Sequence, residues 1–133
     1  MILYRGPRNE DELKCIITNK TAGGKIPNPN PTKPSDHERD EYGRTTKITA
    51  GECARPRANQ HIETVFTEYT VYSATAKNFG RRLAGDTYRR GAYICIDVND
   101  AYVNRFEKDV LEGGVLIRSD TPITICEIFE IYD

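Results

Sequence analysis

Arg5 closes a short apolar run, Leu3-Tyr4-Arg5-Gly6. A guanidinium is a planar fork that grips phosphate or carboxylate and does not deprotonate. Far downstream, Phe66-Thr67-Glu68-Tyr69-Thr70 sets a carboxylate two residues from a hydroxyl. In a strand, that spacing sends both side chains to one face. Glu112-Gly113-Gly114-Val115-Leu116 places a second acid ahead of a glycine pair, which either lets backbone amides approach a ligand or makes a plain turn. His61 precedes the Glu68 stretch, and His37 is the other of the two histidines, so one acid/base pair of histidines is the most this chain can assemble. Each residue also has an ordinary use. Arg5 suits a surface turn, Thr70 a strand, Glu112 a turn, and His61 a structural hydrogen bond.

The elements that must position these residues follow from pattern. Ile2 to Tyr4 reads as a strand running into the Arg5-Gly6-Pro7 turn. Glu10 to Thr18 reads as a short helix with Leu13, Ile16 and Ile17 on one face, stopped by Gly23-Gly24. Residues 25–60 hold five prolines and few large apolar groups. They read as a long polar Pro/Asn-rich loop, either a surface excursion or a cover for a cleft or partner. Thr64 to Tyr72 is a strand, and Ser73 to Leu83 a helix with Ala76, Phe79 and Leu83 together. Gly91 to Val98 is a buried strand, Asn99 to Arg105 a turn with some helical character, Val115 to Arg118 a strand, and Thr124 to Ile131 a last strand without cleanly apolar and polar faces. The sum is an α+β domain. At 133 residues, one domain over 1–133 is expected, long enough to bury a core.

Composition narrows the function classes. Nineteen basic and twenty acidic side chains leave a net charge of −1, which argues against a strongly basic nucleic-acid-coating domain. The cluster Arg81, Arg82, Arg89 and Arg90 reads as a solvated face or a local phosphate or RNA contact. No apolar run reaches the length of a membrane span, and the N-terminus lacks the pattern of a secretory signal. Cys15, Cys53, Cys95 and Cys126 form no Cys-x-x-Cys pair, so no metal site is expected. Cys15, Cys95 and Cys126 lie in apolar runs and are expected as buried, reduced thiols in a reducing cytosol.

The order of these motifs resembles the bacterial mono-ADP-ribosyltransferase toxins of the Arg–Ser–Glu type, over most of the chain from Leu3 to about Ile131. In that family an arginine ends the first strand, often after Leu-Tyr. A Ser/Thr-x-Ser/Thr strand follows and leads into Ala-x-x-Phe-Ala, here Ala76-Lys77-Asn78-Phe79-Gly80. A Glu/Gln-x-Glu motif then heads the next-to-last strand. The resemblance implies two packed, mostly antiparallel sheets around an NAD cleft, with short flanking helices. It implies Arg5, Thr70 and Glu112 as the candidate catalytic set, to which the strand face shared with Thr70 adds Glu68, with NAD, the substrate, held by Arg5, Gly6, Tyr69, Thr70, Ser73 and His61. Breaking the nicotinamide–ribose bond passes through an oxocarbenium-like state, which a glutamate beside the ribose stabilises. Tyr69, Tyr72 or Tyr93 would pack in the core or stack on a ring of the dinucleotide.

Two departures stand out. The Ser/Thr-x-Ser/Thr motif reads Glu68-Tyr69-Thr70, and the family's catalytic glutamate falls on Gly114, leaving Glu112 in the first motif position. The acid is therefore Glu112 acting from a shifted loop, or another carboxylate such as Glu68 or Glu127, or the domain does no catalysis. The resemblance further implies a macromolecular acceptor, by default protein, recognised through the loop around Asn99 to Glu112. It also implies an immunity protein, action in a target-cell cytoplasm without membrane insertion, and delivery within a larger secreted protein, which the abrupt start Met1-Ile2-Leu3 fits. The alternatives are a ribonuclease-type toxin built on His37 or His61, and a non-catalytic binding module of the same fold.

Overall fold

The computed structural model describes residues 1–34, 66–84, 91–105 and 113–131. Six strands and two helices are laid out along them. They are β1 (Ile2–Arg5), α1 (Glu10–Asn19), β2 (Phe66–Thr70), α2 (Ser73–Ala84), β3 (Gly91–Asp97), β4 (Val103–Arg105), β5 (Gly114–Arg118) and β6 (Thr124–Ile131). A 3-10 turn, Asp100–Tyr102, precedes β4.

The strands make one open sheet in the order β4-β5-β2-β1-β3-β6, with every pairing antiparallel. The α+β class holds, but where two packed sheets were expected the described strands form one. The cause lies in β1. It bonds to β2 on one edge and to β3 on the other, so it welds the two strand sets into a continuous surface. No helix among the described residues is long and apolar enough to cross a membrane.

One face of this sheet is the core. Leu3, Ile94, Ile96, Tyr69, Val115 and Ile117 project from it and pack with Ile16 of α1. Helix α1 starts where its sequence directs. The Asn9 side chain accepts the Glu12 N–H at 2.8 Å, and Glu10, Asp11 and Glu12 place negative charge in the first turn. It stops at Lys20, whose backbone is left-handed (φ 52°) and whose N–H bonds the Ile16 carbonyl at 2.8 Å. The chain then runs beside the β5–β6 connection, with Ala22 N–H bonded to Thr121 and Ile123 N–H to Lys20.

Helix α2 packs mainly on β3 and β1. Its inward positions differ from the expected Ala76–Phe79–Leu83 face. Ala76 is buried, but Phe79 is 40% exposed. The backbones approach so closely that only small residues fit. A Cβ on Gly6 would lie 2.3 Å from the Gly80 nitrogen and 2.5 Å from the Ala76 carbonyl oxygen. The helix therefore meets the sheet along Ala76 and Gly80, and the larger Phe79 turns outward.

Within the expected loop 25–60, the described part is tied down. Asn28 N–H bonds the Asp120 carbonyl, and the Asn104 side-chain amide donates to the Pro34 carbonyl at 2.7 Å.

Candidate functional site

Arg5 is the last residue of β1 and shares the core-facing side of the sheet with Leu3, two residues before it. Its guanidinium joins three segments. Nη1 donates to the Glu68 carbonyl of β2 at 2.7 Å, and Nη2 donates to Glu12 Oε1 of α1 at 2.5 Å. The Cζ atom lies 5.9 Å from the Tyr69 ring centroid, within range of a cation–π contact. The Arg5 side chain keeps 16% of its surface and Glu12 only 3%, so this is a buried ion pair with one accessible edge.

Glu12 had no role in the sequence reading, yet it is the nearest charged partner of Arg5. Its second oxygen, Oε2, accepts the Arg8 N–H at 2.6 Å. Two signals mark it. Asn9 and Glu12 have the spacing of a helix-start box. Glu12 also lies four residues before Ile16, so an acid occupies the inward stripe of an amphipathic helix.

Tyr69 lies beneath Arg5, 2% exposed, with its hydroxyl donating to the Ala22 carbonyl at 2.7 Å. Burial pushes its phenol above the ordinary tyrosine value, against the opposing pull of the Arg5 guanidinium. Tyr69 is thus a core residue on the opposite side of β2 from Thr70. Tyr69→Phe should cost about 1–2 kcal/mol, because the Ala22 carbonyl loses its partner. Urea unfolding monitored by far-UV circular dichroism measures this directly.

The other face carries a second set. Direct cross-strand opposition runs Gly114–Thr70–Tyr4–Cys95–Glu127 over five strands. Thr70 is buried, and its hydroxyl accepts the Tyr72 N–H at 3.1 Å. Glu68 stands two residues from Thr70 on this face, half-buried and opposite Leu116. Tyr4 is half-buried, and burial together with Cys95 raises its phenol. Tyr93 and Phe129 stack on the same face, with centroids 4.5 Å apart and planes at 13°.

The expected residues therefore divide. Arg5 and Tyr69 meet on the core side with Glu12. Thr70, Glu68 and the Gly114 position meet on the other side. Gly6 lies against the backbone of α2, and Ser73 is the exposed first residue of α2. Glu127 and Glu130 are exposed on β6. Glu112, His61 and His37 lie outside the described residues. Arg81 is exposed on α2, and Arg89 and Arg90 lie outside the described residues.

Gly113 feeds β5 at φ 60°, and a Cβ there would fall 2.6 Å from Val71 and 2.7 Å from the Tyr72 ring. Its carbonyl accepts the Val71 N–H at 3.1 Å, so β5 enters the sheet at a fixed point and Gly114 stands opposite Thr70. A cleft of about 530 Å³, lined by residues including Asp97, Asp100, Pro122 and Thr124, opens at the far end of β1 from Arg5. It is separate from both sets.

No known protein-family model matches the chain, and no curated protein matches it.

Proposed function

We propose that this domain handles NAD as a mono-ADP-ribosyltransferase of the Arg–Ser–Glu type, cleaving the nicotinamide–ribose bond and passing ADP-ribose to a macromolecular acceptor. The observation that carries the reading is an adjacency. The Leu-Tyr-Arg, Glu-Tyr-Thr and Gly-Gly-Val-Leu motifs, distant in sequence, lie on the neighbouring strands β1, β2 and β5 and meet at one end. There Tyr4 opposes Thr70, Thr70 opposes Gly114, and Arg5 is the next residue along, its side chain on the opposite face of the sheet.

On this reading the accessible edge of Arg5 meets the pyrophosphate as a fixed cation. The carboxylate that faces the developing oxocarbenium is Glu68 or Glu112. Glu68 is supported by its position beside Thr70. The acceptor, an immunity protein and a target-cell site of action rest on the same resemblance. A second reading, a non-catalytic NAD-binding module, is favoured by the glycine at position 114, which puts no carboxylate opposite Thr70 on β5.

The test is nicotinamide release from NAD by the purified chain, beside Glu68→Gln, Thr70→Ala and Arg5→Lys variants checked for folding. Release that falls roughly 10²–10³-fold in the Glu68 variant supports transferase chemistry. NAD binding by calorimetry without release selects the binding module. Neither binding nor release overturns both.

A further inference from the structure

Cys126 breaks the expectation of buried thiols. Cys95 is 9% exposed, but Cys126 is exposed and Cys15 half-buried. The pairing of β3 with β6 explains the difference. Cys95 opposes Glu127 and Ile96 opposes Ile125, so Cys126 is the extra residue of a β-bulge on an outer strand. A bulge lets two residues of one strand face a single partner position, and here it turns Cys126 toward Cys95.

The register makes Cys95 and Cys126 cross-strand neighbours. Cys126 and the Tyr4 hydroxyl both lie close enough to act on the Cys95 thiol, Cys126 raising it and Tyr4 lowering it. The Cys126 thiol also reaches the Thr124 carbonyl at 4.0 Å. We propose that Cys95 and Cys126 form an oxidative modification site, a dithiol that hydrogen peroxide closes into a disulfide between β3 and β6.

The division of labour follows from exposure. Burial raises the Cys95 thiol, with the neighbouring Cys126 and Glu127 adding to it, so Cys95 is the poorer first nucleophile. The Cys126 thiolate attacks peroxide, the O–O bond breaks, and Cys126 becomes a sulfenic acid with release of one water. The Cys95 sulfur then attacks the Cys126 sulfur and expels hydroxide, which takes the Cys95 proton as the second water. Two thiols are oxidised and one peroxide is reduced. The product removes the Cys95 thiol opposite Tyr4, within the same cross-strand row as Thr70.

The full chain is treated with hydrogen peroxide under native conditions, alkylated, digested without reduction and mapped by mass spectrometry. The expected product is a Cys95–Cys126 linked peptide, lighter by two hydrogens and restored by dithiothreitol. Cys95→Ser should stop at a sulfenic acid on Cys126 that dimedone captures. Cys126→Ser should leave Cys95 reduced. The proposal is overturned if both thiols of the folded chain stay reduced, if Cys126 proceeds to sulfinic acid with Cys95 present, or if either cysteine links instead to Cys15 or Cys53. None of these readouts depends on NAD.

Discussion

Arg5→Ala should lower folding stability by about 3–5 kcal/mol, the cost of leaving one member of a buried ion pair uncompensated. Glu12, 3% exposed in the native chain, would keep only the Arg8 N–H among the contacts described. The Glu68 carbonyl would lose its 2.7 Å donor. Glu12→Ala should fall in the same range for the converse reason. The informative variant is the double replacement Arg5→Met/Glu12→Leu. A buried pair exchanged for apolar groups of similar volume is often neutral or stabilising, so the double variant should recover most of the loss. Urea unfolding of the three variants measures this. A double variant as unstable as the sum of the singles would mean that Arg5 and Glu12 act independently. The same cycle separates two roles of Arg5. If the double variant is stable yet no longer binds NAD, the guanidinium is needed by the ligand and not only by the fold.

Gly114→Glu should raise nicotinamide release by roughly 10²–10³-fold, the size of effect that one well-placed charge-stabilising group carries in a transition state. The basis is register. Gly114 directly opposes Thr70, and directly opposed Cβ atoms on one face lie about 4.5–5.5 Å apart, so a carboxylate there reaches the Thr70 hydroxyl. The neighbouring position is its control. Gly113→Glu puts a side chain on a left-handed backbone against Val71 and the Tyr72 ring, and should destabilise the domain without gain. Circular dichroism and a thermal midpoint establish that the Gly114 variant is folded. A folded variant whose turnover equals that of the natural chain would sink the idea that NAD is cleaved beside Thr70.

Much of the fold was legible in local pattern. The helix at Glu10 showed because Leu13, Ile16 and Ile17 recur at helical spacing. Gly91–Asp97 showed as a run of apolar and β-branched residues between turn signals. Strand β4 did not show. Val103–Arg105 is three residues long, and only its pairing with β5 makes it a strand. The outward turn of Phe79 was also hidden, because helical spacing ranks residues by hydrophobicity and cannot foresee that Gly80 must touch the sheet backbone. The single sheet was hidden for a related reason. Which strands flank β1 is a long-range choice that no local window contains.

The site was legible by residue type more than by side. Arg5 and Thr70 could be singled out, but period-two alternation in two separate strands does not say which faces coincide until a cross-strand partner is known. Tyr4 opposite Thr70 supplies that partner, and it sends Arg5 to the other face. Glu12 was passed over because an acid in a first helical turn usually serves the helix dipole. The Cys95–Cys126 contact depends on a bulge, and β6 reads as an unbroken run from Thr124 to Ile131.

The place of β1 in the sheet governs how the chain assembles over time. Its edges are filled by Phe66–Thr70 and Gly91–Asp97, so this strand waits for two partners that both lie far downstream in sequence. A nascent chain that stops short of Gly91 leaves Ile2–Arg5 with an open edge, and α1 has no completed surface to cover. Such non-local topologies fold slowly, on the order of milliseconds to seconds.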